Sequence, residues 1–132
     1  MATTYKVVYK NHCTPQEQVS SGGRYYLDSD CGRKLTGSSE TSATISSTGT
    51  YNASLDVGDS ASDALTSSHT FIFIKNTGGG SGDRVIITLD NSNYLILLHV
   101  GESFASEISS SAVVKVKCGT DEDSTIEYYV GR

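Results

Sequence analysis

Few side chains in this 132-residue sequence have the chemistry for catalysis or metal binding: His12 with Cys13, then Cys31, His99 and Cys118. Imidazole and thiolate can hold zinc, or build a nucleophile with its base. Structural zinc sites draw their ligands as close pairs, about two to four residues apart, because one turn must aim two donors at one tetrahedron. No such cysteine pair occurs, so these five residues read as independent surface or core positions. A Cys/His nucleophilic pair need only meet in space, but His99 lies among Leu97, Leu98 and Val100. That is the setting of a hydrogen-bonded strand histidine rather than a general base. The expectation is no catalytic residue, no metal ligand, no bound cofactor and no enzyme activity.

Other candidates have equally plain readings. Asp121-Glu-Asp123 and Asp28-Ser-Asp30 carry the carboxylates a calcium ion prefers but lack alternating ligands, a central glycine and a distant bidentate glutamate; they read as solvated turns. Gly78-Gly-Gly-Ser-Gly82 follows a strand as phosphate loops do, yet another strand follows it, not a helix whose amides would face an anion. Asn52-Ala-Ser54 matches a glycosylation acceptor, but the start of the chain has no apolar h-region and no small-residue cleavage site. No secretory signal is expected there, and the match reads as chance. Tyr25-Tyr26 and Tyr128-Tyr129 are candidates for a sugar-stacking platform, in a chain with no Trp, the strongest stacking residue.

The elements that must position these residues follow from composition. Hydrophobic residues are 36% and charged residues 19%, while 21 Ser and 14 Thr supply a hydroxyl at 35 positions. Ser, Thr, Gly and β-branched residues outweigh helix formers, and their stiff χ1 or free backbone penalises a helix, so an all-β domain is expected. Ten Lys and Arg against 15 Asp and Glu give a net charge of −5, which offers no pull toward phosphate backbones; nucleic acid is not an expected partner. The longest apolar run, Tyr94–Leu98, is far too short for a membrane helix. Three cysteines, an odd number, argue against a disulfide framework and for reduced thiols that pack as small hydrophobes.

Along the chain, residues 3–10 alternate as a half-buried strand, residues 11–24 read as a loop around Pro15, and Tyr25-Tyr-Leu27 as a short strand. Residues 37–68 hold too few large apolar side chains to carry a core. They read as short strands at 44–47 and 50–55 or as an arm ordered by a partner, with one helical turn over 59–65. From 69 onward the pattern is dense. Residues 69–76 form a central strand and 83–90 a second one with Val85, Ile87 and Leu89 inward, the two joined as a hairpin by the glycine loop. Strands at 94–100, 103–108, 112–118 and 125–131 follow, Val114 and Val116 inward. Short strands joined by turns imply antiparallel pairing in two packed sheets, so the fold expected is a single antiparallel β-sandwich over 1–132. Its parts are an N-terminal strand and loops (1–36), a Ser/Thr-rich arm or edge strands (37–68) and the core sheet half (69–132).

The stretch Phe71-Ile-Phe-Ile-Lys-Asn-Thr-Gly, with Val85-Ile-Ile-Thr-Leu, Gly101-Glu102 and Thr125-Ile-Glu-Tyr-Tyr-Val, resembles small virion structural proteins of tailed bacteriophages. In size and texture it is most similar to capsid decoration or cement proteins. The resemblance spans about half the chain, from about His69 to the end, and is one of strand order and texture. It implies a β-sandwich of jelly-roll type, often a homotrimer, made in the host cytoplasm. In the virion such a protein binds the major capsid protein and clamps the shell, or serves as a neck or tail accessory. The alternative is a carbohydrate-binding or host-adhesion module built on the tyrosine pairs.

Overall fold

The computed structural model describes residues 5–12, 16–19, 24–27, 38–45, 49–60, 65 and 68–132. The chain runs β1 (Tyr5–His12), β2 (Gln16–Val19), β3 (Arg24–Leu27), β4 (Ser38–Ile45), β5 (Thr50–Val57), β6 (Phe71–Asn76), β7 (Val85–Thr88), β8 (Tyr94–Leu98), β9 (Ser103–Glu107), β10 (Lys115–Cys118) and β11 (Ser124–Gly131). Among the described residues every element is a strand, so the expected all-β class holds. Two compact units form, Met1–Val7 with Ala43–Arg132, and Val8–Ser42. In the smaller unit β2 pairs antiparallel with β3, Gln16 opposite Leu27. β1 and β4, whose residues divide between the two units, form a two-stranded sheet. The strand at 16–19 replaces part of the loop expected over 11–24. Four residues of mostly polar type gave no alternation to betray it. The helical turn expected over 59–65 falls mainly on residues 61–64, outside the described residues.

The larger unit holds two antiparallel sheets, one in the order β5-β11-β6-β9 and the other β10-β7-β8. β6 and β11 are its central pair, Ile72 opposite Val130 and Ile74 opposite Tyr128. Period-two alternation turns Ile72, Ile74, Ile126 and Val130 toward Val85, Ile87, Val116 and Cys118 of the other sheet and Val114 just before it, and these buried side chains form one apolar cluster. Val57 is buried in the same cluster and Leu55 and Leu65 pack against it. The Ser/Thr-rich region therefore contributes to the core, contrary to the expectation from its sparse apolar content. The β5–β11 ladder places Val57 opposite Ser124 and Leu55 opposite Ile126, and two backbone hydrogen bonds extend the hold: Cys118 donates to the Gly58 carbonyl and Leu65 to the Val114 carbonyl, each at 2.7 Å, fastening residues 58 and 65 to the chain on and just before β10.

The hairpin expected between 69–76 and 83–90 does not form. β6 pairs with β11 and β9, β7 with β10 and β8, and the glycine loop carries the chain from one sheet to the other. The physical cause is Asn76, fully buried at the end of β6. Its amide nitrogen donates to the carbonyls of Asp83 (2.8 Å) and Leu98 (3.0 Å). Its amide oxygen accepts from the Gly78 backbone N–H (3.1 Å) and the Ser124 hydroxyl (2.7 Å). All the bonds that this side chain can make are made, and they tie together β6, the start of β7, the end of β8 and the start of β11. The loop is equally held: Ser81 N–H donates to the Asp123 carboxylate (2.7 Å) and Asp83 N–H to the Asp123 carbonyl (3.0 Å). Gly79 lies so close to Thr125 that a Cβ would fall 2.2 Å from its hydroxyl oxygen.

Asn76→Asp keeps the shape but replaces two donors with a buried charge, leaving the Asp83 and Leu98 carbonyls unsatisfied. The expected loss is about 3 kcal/mol or more in urea unfolding. A loss under about 1 kcal/mol, the ordinary effect of a surface change, would contradict the role given to Asn76.

Candidate functional site

Three surfaces of the larger unit carry the chemistry of the molecule. The first is the end where the Gly78–Gly82 loop, the β10–β11 turn and Asp59 meet. Asp121 N–H donates to the Asp59 carboxylate (3.1 Å), Asp123 N–H to the Asp83 carboxylate (3.1 Å), and Arg84 bridges Glu122 at 3.1 Å. The carboxylates are thus spent on backbone donors and one guanidinium. Among the described residues no three His, Cys, Asp or Glu side chains are grouped to hold a metal ion. Hydrogen bonds from Ser81 hold Asp123 below the usual carboxylate range.

Cys118 and His99 are not brought together as a catalytic pair. The Cys118 thiol is buried, approaches the Val57 carbonyl at 3.4 Å, and is pushed up to about 11 by burial and then by Glu122, Asp83, Asp123 and Asp59. It stays a protonated thiol that packs as a small hydrophobe, as expected. His99 is not a strand residue: it stands exposed just after β8, its backbone N–H donating to the Glu102 carboxylate at 2.6 Å. His12 lies in β1 with its side chain outside the described set; Cys13, Cys31 and the Asp28–Asp30 turn lie outside the described residues.

The second surface is the outward face of β5-β11-β6-β9. Period two sends Tyr128 and Tyr129 to opposite faces: Tyr128 packs against the core and Tyr129 looks out. The tyrosine pair expected to act together is therefore split. In its place, register aligns Tyr51, Tyr129 and Phe73 in one row across three strands. Neighbouring strands stand about 4.8 Å apart, so the row runs roughly 10 Å. The Tyr51 hydroxyl donates to the Glu127 carboxylate, which raises the phenol above its ordinary value. The Phe71 ring tilts at 55° to Tyr129 with centroids 6.2 Å apart, a favourable edge-on arrangement. Tyr51 is the exposed member of the row; Phe73 and Tyr129 are half-buried, the Tyr129 ring lying against Gly49, and Lys75 and Glu127 stand beside them. Sequence reading missed Tyr51 and Phe73 because only the register, not the spacing, makes them neighbours. Tyr25 and Tyr26 lie in β3, their side chains outside the described set.

The third surface is the β7–β8 corner. Asp90 accepts from the N–H groups of Ser92 (3.0 Å) and Asn93 (2.7 Å), the Asn93 amide (2.8 Å) and the Thr88 hydroxyl (2.8 Å). Those four donors, Asn93 foremost, hold its carboxyl far below the usual range. Asn91, at φ 70°, takes the left-handed step of this turn, which asparagine tolerates. Beyond it β8 presents Leu95 and Leu97, both exposed. Lys117 lays its ammonium 4.4 Å from the Tyr94 ring centroid.

No protein-family model matches the chain, and neither does any curated protein or solved structure.

Two predictions follow from these charges. Asp90 and Asp123 are more acidic folded than unfolded, so their contribution is complete above the unfolded value of about 3.9 and is lost as pH falls below it. In urea titrations from roughly pH 6 to roughly pH 3, Asp90→Asn should lose less stability than the parent chain; an equal loss would remove Asp90 from the acid limb. Peptide mapping after iodoacetamide treatment at neutral pH should leave Cys118 unlabelled in the folded chain and labelled in urea. Labelling of the native thiol would contradict its burial.

Proposed function

We propose that this chain is a virion structural protein of a tailed bacteriophage, a jelly-roll β-sandwich that binds the major capsid protein and stabilises the shell. The observation that carries the reading is the order in which strands pair. A jelly roll is a ribbon of eight strands doubled back on itself and wound into two sheets: first pairs with last, second with seventh, third with sixth, fourth with fifth. Here β5 pairs with β11, β6 with β9 and β7 with β8. The second step is supplied by residues 58 and 65 against the β10 region, through the Gly58–Cys118 and Leu65–Val114 bonds. Jelly rolls serve as viral capsid and lectin domains, and the resemblance of the C-terminal half to decoration proteins favours the first. Many copies bound to an assembled shell but not to free subunits would raise its resistance to heat by mass action.

The Tyr51–Tyr129–Phe73 row favours a second reading, a sugar-binding or host-adhesion module of the same architecture. Quantitative mass spectrometry of gradient-purified particles separates the two. A copy number comparable to the major capsid protein supports decoration, and a few copies per particle place the chain at the neck or tail. Absence from particles, together with glycan binding that Tyr51→Ala and Phe73→Ala abolish, overturns the virion reading in favour of the module.

A further inference from the structure

Each sheet of the larger unit has two edges, and three of the four carry charge. β5 has Asp56, β9 has Glu107, and β10 has Lys115 and Lys117 along with the bonds from residues 58 and 65. Charged or covered edges are how natural sheets avoid pairing with other chains. β8, Tyr94-Leu-Ile-Leu-Leu98, carries no charge, and among the described residues no strand pairs with its outer edge. Its register against β7 shifts by one residue at Leu95, a bulge of the kind that re-aims a side chain. That side chain is 85% exposed, and Leu97, two residues on, is 46% exposed. Leu95 also rims an apolar hollow of about 150 Å³ shared with Ile87, Leu89 and Ile96.

We propose that β8 is the interface between two copies of this chain, paired antiparallel about a two-fold axis at Ile96. The strand is self-complementary about that residue: Leu95 of one copy lies opposite Leu97 of the second, and Tyr94 opposite Leu98. An isologous contact demands this symmetry. Charge fits in the same direction. The Asp90 carboxylate, kept ionised by its four donors, stands at the Tyr94 end of the strand. Arg84, its side chain 56% exposed beyond the bridge to Glu122, stands at the Leu98 end. Antiparallel pairing sets each copy's Arg84 end beside the other's Asp90 end, twice per dimer.

Sedimentation equilibrium of the full chain tests this. The expected mass is twice 14.0 kDa for the parent chain, falling to the single-chain mass in Leu95→Glu/Leu97→Glu. Both side chains are exposed, so the variant should keep the parent's circular dichroism. If it does not fold, Leu95→Ser in its place should weaken dimerisation at least tenfold while leaving the spectrum unchanged. A parent chain that stays monomeric at millimolar concentration overturns the proposal. So does a trimer, which needs a head-to-tail contact, or a dimer that survives both variants.

Discussion

One buried amide sets the course of the chain. Asn76 lies at the end of β6, one of the two central strands of its sheet, where an unpartnered polar group would be costly, and each of its four bonds goes to a different part of the molecule. Because two of those bonds reach Asp83 and Leu98, the chain beyond β6 cannot fold back beside it. It must cross to the other sheet. The glycine loop follows from that crossing: Gly78, at φ 82°, makes the first bend, and Gly79 fits against Thr125. Apolar burial drives the two sheets together without fixing which strand lies in which; a directional, fully satisfied polar group does fix it.

The same logic distributes charge. Carboxylates at the loop end are consumed by backbone N–H groups and by Arg84, so they shape turns rather than form a site. Among the described residues of the larger unit, the exposed large apolar side chains are Tyr51 on β5, Leu95 and Leu97 on β8, and Val100 just beyond it. In the proposed reading, these exposed apolar side chains are where the larger unit meets its neighbours.

Much of the architecture was legible in the sequence. The β-branched and aromatic filling of both faces of 69–76 and the alternation in 83–90 and 112–118 located strands, with Val85, Ile87, Leu89, Val114 and Val116 inward, and 125–131 read as the last strand. The pairing of those strands was not legible. Adjacent segments with a glycine-rich link have the signature of a hairpin, whereas the bonds of Asn76, and those of Ser81 and Asp83 to Asp123, hold them in different sheets. Tyr128 and Tyr129 show the same limit: adjacency in sequence suggested one platform, whereas strand geometry puts them on opposite faces and recruits Tyr51 from a strand more than 70 residues away. The contribution of Val57 and Leu55 was hidden because few apolar residues in a hydroxyl-rich stretch are enough when backbone bonds hold that stretch against the core.

The proposed winding depends most on its irregular second step, where residues 58 and 65 stand in for a strand beside β10. Native-state hydrogen exchange reads that step directly through the amides of Cys118 and Leu65, which donate to Gly58 and Val114. A wound ribbon predicts that both exchange as slowly as the amides of β6, opening only when the whole unit unfolds. Fast exchange at these two amides, with β6 still protected, would mean that the second step does not hold and would contradict the jelly-roll account.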